Sequence, residues 1–402
     1  MATLVRQFKF IAMGLVIAST SLVTGLSASA AETDGTPDLA FAAAVSPTLN
    51  NEVYAISVQT DGSIVVGGNF GGAIARFSSA GTPDTSFNAN VGGIAAGVVT
   101  SVAIDQSGGV LASGWFQGVY RFSAAGIPDT AFIGASSTAL GGSVDSVAVQ
   151  SDGKVLASGS FAGHLARLNS DGSADTAFDN NVGSNLDGRV YQMAVQPDGK
   201  ILVAGEFTGN LKRFLADGLP DTTFNANVGD AGGTVSTVRV APDGAVVIVG
   251  EFGDRLARYN SDGTPDATFN ENVHQVGLAQ VGMYAVAIQR DGKVVIGGDI
   301  TTHLMRFNTD GTSDTAFNTT LGSYFDGRIT SIIIDGNDNI LVGGSFSSRL
   351  ARLSSSDSSA SAPTPSLAHT GGNFAPPLGL ATAFLGLGVL GVLAAQKRRR
   401  RA

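Results

Sequence analysis

The sequence predicts an all-β fold, a seven-bladed β-propeller, and two observations carry that prediction. An arginine recurs as Arg76, Arg121, Arg167, Arg213, Arg258, Arg306 and Arg352, at spacings of 45, 46, 46, 45, 48 and 46 residues. Each copy also keeps a glycine in register ahead of the arginine, from Gly68 to Gly344, and a phenylalanine three residues after an aspartate, from Asp38 and Phe41 to Asp314 and Phe317. A fixed period of this size belongs to a solenoid, a propeller or an array.

The copy from Val190 to Phe224 shows what one unit builds. Val190, Met193 and Val195 mark the apolar side of a first strand. The Gln-Pro-Asp-Gly segment at 196–199 reverses the chain, because Asp and Gly tolerate the left-handed dihedrals of a tight hairpin. Ile201 to Gly205 is a short apolar run suited to a strand buried on both faces. Leu211 to Phe214 reads as a third strand, and Asp221 to Phe224 as a fourth after another turn. Four-stranded antiparallel blades set radially cover one another's faces and leave only short edges.

The phase of the repeat predicts how such a ring closes. The chain enters at 36–41 with a fourth strand and no first three, and leaves at 349–353 with a third strand and no fourth. The two ends are expected to complete one blade, so that the ring is closed by the N-terminal strand and no long edge stays exposed.

The flanks read differently. Residues 1–30 have a basic start (Arg6, Lys9), an apolar stretch and a small-residue cleavage site at Ala28-Ser29-Ala30, the pattern of a secretory signal peptide. The propeller is expected over 31–353, followed by a Ser/Pro linker at 354–366 that has no apolar face to bury. An apolar run at 378–395 and five basic residues from Lys397 to Arg401 predict a C-terminal transmembrane helix with a cytoplasmic end.

Without the signal and the basic tail, 17 Lys and Arg stand against 33 Asp and Glu, about −16 formally. That balance argues against a nucleic-acid partner, which needs clustered cations to displace counterions from phosphate. Cysteine is absent, so the core must come from burial alone. Each repeat phenylalanine contributes ~2–3 kcal/mol when buried.

Two resemblances add to this reading. Segments such as NSDGTPDATFN (260–270) and VAIQRDGKVVIGG (286–298) resemble the delta-60 type β-propeller repeats of bacterial exported proteins; the resemblance implies the fold and no activity. Leu367, Ala368, Thr370 and Gly371, placed before the apolar run and basic end, resemble the Leu-Pro-x-Thr-Gly cell-wall sorting signal of Gram-positive surface proteins, with Ala368 in place of proline. That resemblance implies cleavage by a sortase between Thr370 and Gly371 and covalent attachment to peptidoglycan. The alternative is a plasma-membrane protein that retains its single helix, with the propeller outside.

Candidate functional residues lie where the repeat breaks. The seven arginines each have an aspartate eight residues on, in Asp84, Asp129, Asp175, Asp221, Asp266 and Asp314, with Asp38 serving the last copy; a structural pair within each blade is expected. Between the repeat glycine and the next phenylalanine lie Trp115, Glu206, Glu251 and, before Ile300, Asp299, so blades four to six present a carboxylate at one end of the ring. His274, Tyr324 and Phe325, in the connections 270–282 and 318–328, are expected as walls of a ligand site on that face. Three carboxylates there would favour a cation or cationic group. No metal-ligand spacing and no nucleophile motif occurs, and neither cofactor nor metal is expected. The reading is a non-catalytic, surface-displayed propeller whose unknown ligand is a glycan or a protein, or which serves structurally in the envelope. The alternative is a secreted hydrolase, for instance glycan-active, using the carboxylates of blades four to six.

Overall fold

A computed structural model of the chain describes residues 34–92, 97–278 and 282–355. The expected signal peptide, the linker beyond residue 355, the sorting signal and the membrane span at 378–395 lie outside these residues. Among the described residues no helix is long and apolar enough to cross a membrane.

Seven three-stranded antiparallel sheets follow one another along the chain, each in the simple order first, second, third strand. The blades run Val53–Phe77, Val99–Phe122, Val144–Leu168, Arg189–Phe214, Thr234–Tyr259, Met283–Phe307 and Ile329–Leu353 in outline. First strands lie against the first strands of the neighbouring sheets, and that of blade 7 lies against that of blade 1. Thr330 Oγ1 donates to Val53 O across this last contact, and Val53 and Ile56 share a core cluster with Ile333, Leu341 and Leu350.

The expected fourth strand is not a strand. In every unit the segment from the repeat aspartate onward is a short helix, from Leu39–Val45 to Thr315–Leu321. The aspartate is its N-cap: Asp38 accepts the Phe41 N–H at 2.9 Å and Asp84 the Phe87 N–H at 3.0 Å. A carboxylate that satisfies one of the free N–H groups of a first helical turn favours helix over ladder. The residue before the aspartate is usually proline and makes only an isolated bridge, as Pro83 does with Phe77; Ala174 and Ser313 do the same, so it is the helix start that ends the pairing. The blades are therefore three-stranded, with a capped helix packed where a fourth strand was expected.

The N-terminal segment does meet the last blade. Pro37 bridges Leu353, Asp38 N–H donates to Arg352 O at 2.8 Å, and Ser354 N–H donates to Thr36 O at 2.9 Å. It does so through this bridge and a helix rather than as a strand.

Most of the repeat arginines perform three tasks at once. Arg213 bonds Asp221 (Nη2 to Oδ2, 2.9 Å), lies 3.9 Å over the Phe224 ring, and donates through Nη1 to Ser261 O of the next blade at 2.7 Å. The inter-blade bond recurs as Arg76 to Ala124 O, Arg121 to Ser170 O, Arg167 to Ala216 O and Arg258 to Thr309 O. Arg352 donates likewise to Ser79 O, from the last blade to the first. Arg306 turns instead to Asp34 while keeping Asp314 at 2.8 Å. In blade 5, Arg258 has Asp266 at 3.6 Å and its closest carboxylate is Asp243. The capped phenylalanines beneath the arginines are fully buried.

Candidate functional site

The register of each first strand slips once, at the same place. Pairing skips one residue in every blade, leaving Tyr54, Thr100, Asp145, Tyr191, Ser236, Tyr284 and Thr330 at a β-bulge. Bulges re-aim side chains, and all seven of these carry a hydroxyl or a carboxylate. The repeat glycine exists because of this bulge. A Cβ on Gly205 would collide with Arg189 O, and one on Gly114 with Val98 O, since the bulge presses the first-strand carbonyl against the second strand.

The bulge residues line a central cavity of about 300 Å³, together with Ser101, Ser146, Gln192, Thr237, Ala285 and Ser331 from the next position of the same strands, Arg189, Arg239 and Arg328, and Trp115. Trp115 is 60% exposed, with its ring 6.3 Å from that of Tyr54. Arg189 and Arg328 lie 5.2 Å from the Tyr191 and Tyr284 ring centroids.

The expected carboxylates lie just outside this lining. Glu206 accepts the Tyr191 hydroxyl at 2.9 Å, and Asp299 accepts the Tyr284 hydroxyl at 3.1 Å and Arg328 Nε at 3.1 Å. Glu251 is exposed at the end of its strand. Glu206 and Asp299 thus fix tyrosines whose rings face the cavity. Glu52 does the same for Tyr54 at 2.8 Å. Burial, then the Glu52 bond, pushes the Tyr54 phenol up to about 12; burial chiefly raises Tyr191 and Tyr284 as well.

Other expected site residues are elsewhere. His274 sits in the last turn of the helix Ala267–Val276, exposed, with Nδ1 2.8 Å from Asp254 Oδ1. Phe325 is 3% exposed and stacks edge-on to Phe346 at 4.8 Å, with Tyr324 against it at 5.0 Å. The pair closes the core of blade 7 and is not a wall of the cavity, because the connection folds inward over Phe346. Sequence reasoning missed Tyr54, Asp145, Tyr191, Tyr284, Arg189 and Arg239. The signal was a column of varied polar residues inside otherwise apolar first strands, visible once the repeats are aligned.

A family model described as a domain of unknown function (DUF5122) β-propeller matches residues 59–87, 150–178, 196–224, 241–269 and 289–317. The fold is a β-propeller. Among solved structures, the chain is similar to the WD40 β-propeller domain of Doa1, at 18% identity and TM-score 0.54, covering 76% of this chain and 93% of that one. It is also similar to the extracellular domain assigned to a hybrid two-component system from B. thetaiotaomicron, at 15% identity and TM-score 0.52, covering 75% of this chain and 39% of that one. At these identities the likeness is one of fold alone. No curated protein matches by sequence.

Proposed function

We propose that this propeller is a non-catalytic binding module displayed outside the cell, which takes a small ligand at the mouth of its central cavity. The observation that carries this reading is the exposed Trp115 beside Tyr54, above a polar cavity large enough for a sugar ring. Exposed aromatic faces next to fixed polar groups suit stacking on a saccharide, and the part-buried Tyr54 hydroxyl, held by Glu52, is already oriented for it. Glu206 and Asp299 act in this reading as rim groups that position Tyr191 and Tyr284, with Glu251 as an exposed carboxylate on the same rim.

Binding is favoured over glycoside hydrolysis by the carboxylate arrangement. Hydrolysis uses two carboxyl groups flanking the bond. Among the described residues Asp145 is the only carboxylate lining the cavity, and both its oxygens are taken by Arg189. A binding screen of glycans and peptidoglycan fragments, run on the propeller and on a Trp115→Ala variant, tests this reading. A hit lost in the variant is expected; turnover of any screened glycan would refute it.

The proposal extends to location. The signal-like start, the linker and the sorting-like tail support, in this reading, attachment of the propeller to a cell wall through sortase cleavage after Thr370, and the contact of blades 7 and 1 supports a closed ring. Release of the protein by wall-digesting enzymes, with its C-terminus at Thr370, is the expected result. Wall-purified protein that still carries residues 378–395 would instead identify a retained membrane helix.

A further inference from the structure

The least expected group in the cavity is Arg239. The equivalent first-strand positions hold Ser57, Ala103, Ala148, Ala194, Ala287 and Ile333, so a guanidinium stands where the repeat otherwise has small or apolar side chains. Arg239 is 5% exposed and lines the cavity. Its hydrogen bonds among the described residues run from Nη1, to Gln192 Oε1 and to Val238 O, each at 2.8 Å. Both acceptors are neutral. Its Nε has no acceptor, and neither do Ser146 Oγ and Ser331 Oγ, which line the same cavity from blades 3 and 7. No carboxylate of the described residues pairs with it, and Asp145 is held by Arg189.

A buried cation with neutral partners costs free energy that the fold does not recover locally, and a buried polar atom without a partner points to a group that belongs there. Of the three arginines in the lining, Arg189 is paired with Asp145 and Arg328 with Asp299, so Arg239 is the one whose charge no carboxylate of the described residues balances. Burial lowers the Arg239 guanidinium to about 10, which leaves it charged at neutral pH.

We infer that Arg239 is the anchor for a carboxylate of the ligand, deep in the central cavity, with Ser146 and Ser331 as hydroxyl partners of the same small anionic molecule. The inference rests on the binding reading above and adds the ligand class: a carboxylate-bearing compound of monosaccharide size. A guanidinium offers a carboxylate two parallel donors along one edge, and the Nε edge of Arg239 is the one left unused by Gln192. The cation expected from the rim carboxylates is replaced, in the cavity, by an anion.

The test is calorimetric titration of the propeller with glucuronate and acetate, with glucose as the neutral counterpart, on the parent, Arg239→Met and Arg239→Lys. Glucuronate is expected to bind the parent more tightly than glucose. It should bind Arg239→Met roughly 10- to 100-fold more weakly, the effect of losing a charge-assisted hydrogen bond. Arg239→Lys keeps the charge without the fork and should be intermediate; it decides the matter if Arg239→Met does not fold. Without ligand, the Met variant should melt no lower than the parent. Failure of both anions to bind the parent, or equal binding by parent and variants, overturns the anion site. A neutral glycan that binds at Trp115 with no preference for its uronate would overturn it too, while leaving the binding reading intact.

Discussion

Arg189 of blade 4 holds Asp145 of blade 3 through two hydrogen bonds of 2.6 Å, Nε to Oδ2 and Nη2 to Oδ1, across the wall of the central cavity. The carboxylate side chain is 8% exposed and the guanidinium 39%. The fork ties two blades at the bulge position, where the backbone ladder is interrupted.

The two halves of this pair should respond unequally to mutation. Asp145→Asn retains shape and one acceptor, and the freed arginine reaches water; a loss of about 1 kcal/mol is expected. Arg189→Met strands a buried carboxylate, and a loss of about 2–3 kcal/mol is expected. Denaturant midpoints at unchanged m report both. Equal losses would contradict the asymmetry.

Acid should unfold the ring through its helix caps. Lys154, 2.6 Å away, and then Arg167 hold the Asp175 carboxyl down at about 2 against its burial. The Phe87 N–H, then Arg76, lower Asp84, and Arg121 with the Phe132 N–H lowers Asp129. A carboxylate whose folded pKa is depressed contributes stability that is present above its unfolded value and lost as pH falls through the folded one. The melting temperature should therefore drop between about pH 4 and pH 2. Asp175→Asn should lower it at neutral pH and flatten the drop; an Asn variant with the parent's full acid slope would be incompatible with this role.

How far the sequence reached follows from these same residues. The period and the blade count were legible because Arg, Gly, Asp and Phe recur for structural reasons: clamp, bulge clearance, helix cap and core. The fourth strand was misread because Asp-Thr-x-Phe after a turn fits a strand end as well as an N-cap, and only the Asp38 bond to the Phe41 N–H decides between them. The rim carboxylates were found, since they break the repeat beside its glycine. Of the cavity lining only Trp115 was found, because a bulge changes which side of a strand faces the channel, and a period-two reading cannot register it. Arg239 is a strand residue whose burial, and not its sequence position, marks it out.

Removal of residues 32–42 should destabilise the whole propeller rather than trim a terminus. It deletes the cap for Arg352 and the Phe41 side chain, which is 1% exposed and alone accounts for ~2–3 kcal/mol of burial. Thermal melting of the truncated protein should show a single transition at clearly lower temperature. An unshifted transition would mean that the N-terminal segment does not complete blade 7.

The central claim is that ligand binds at the cavity mouth, and the chain supplies its own reporter. Trp115 is the single tryptophan in the sequence and sits at that mouth, 60% exposed. Fluorescence titration with each hit from the glycan screen reads that one position. The account predicts a saturable change in emission for a true ligand, with the same midpoint as calorimetric binding, and loss of calorimetric binding in Trp115→Ala. Binding that leaves the emission unchanged and survives in Trp115→Ala would place the ligand elsewhere on the propeller and contradict the account.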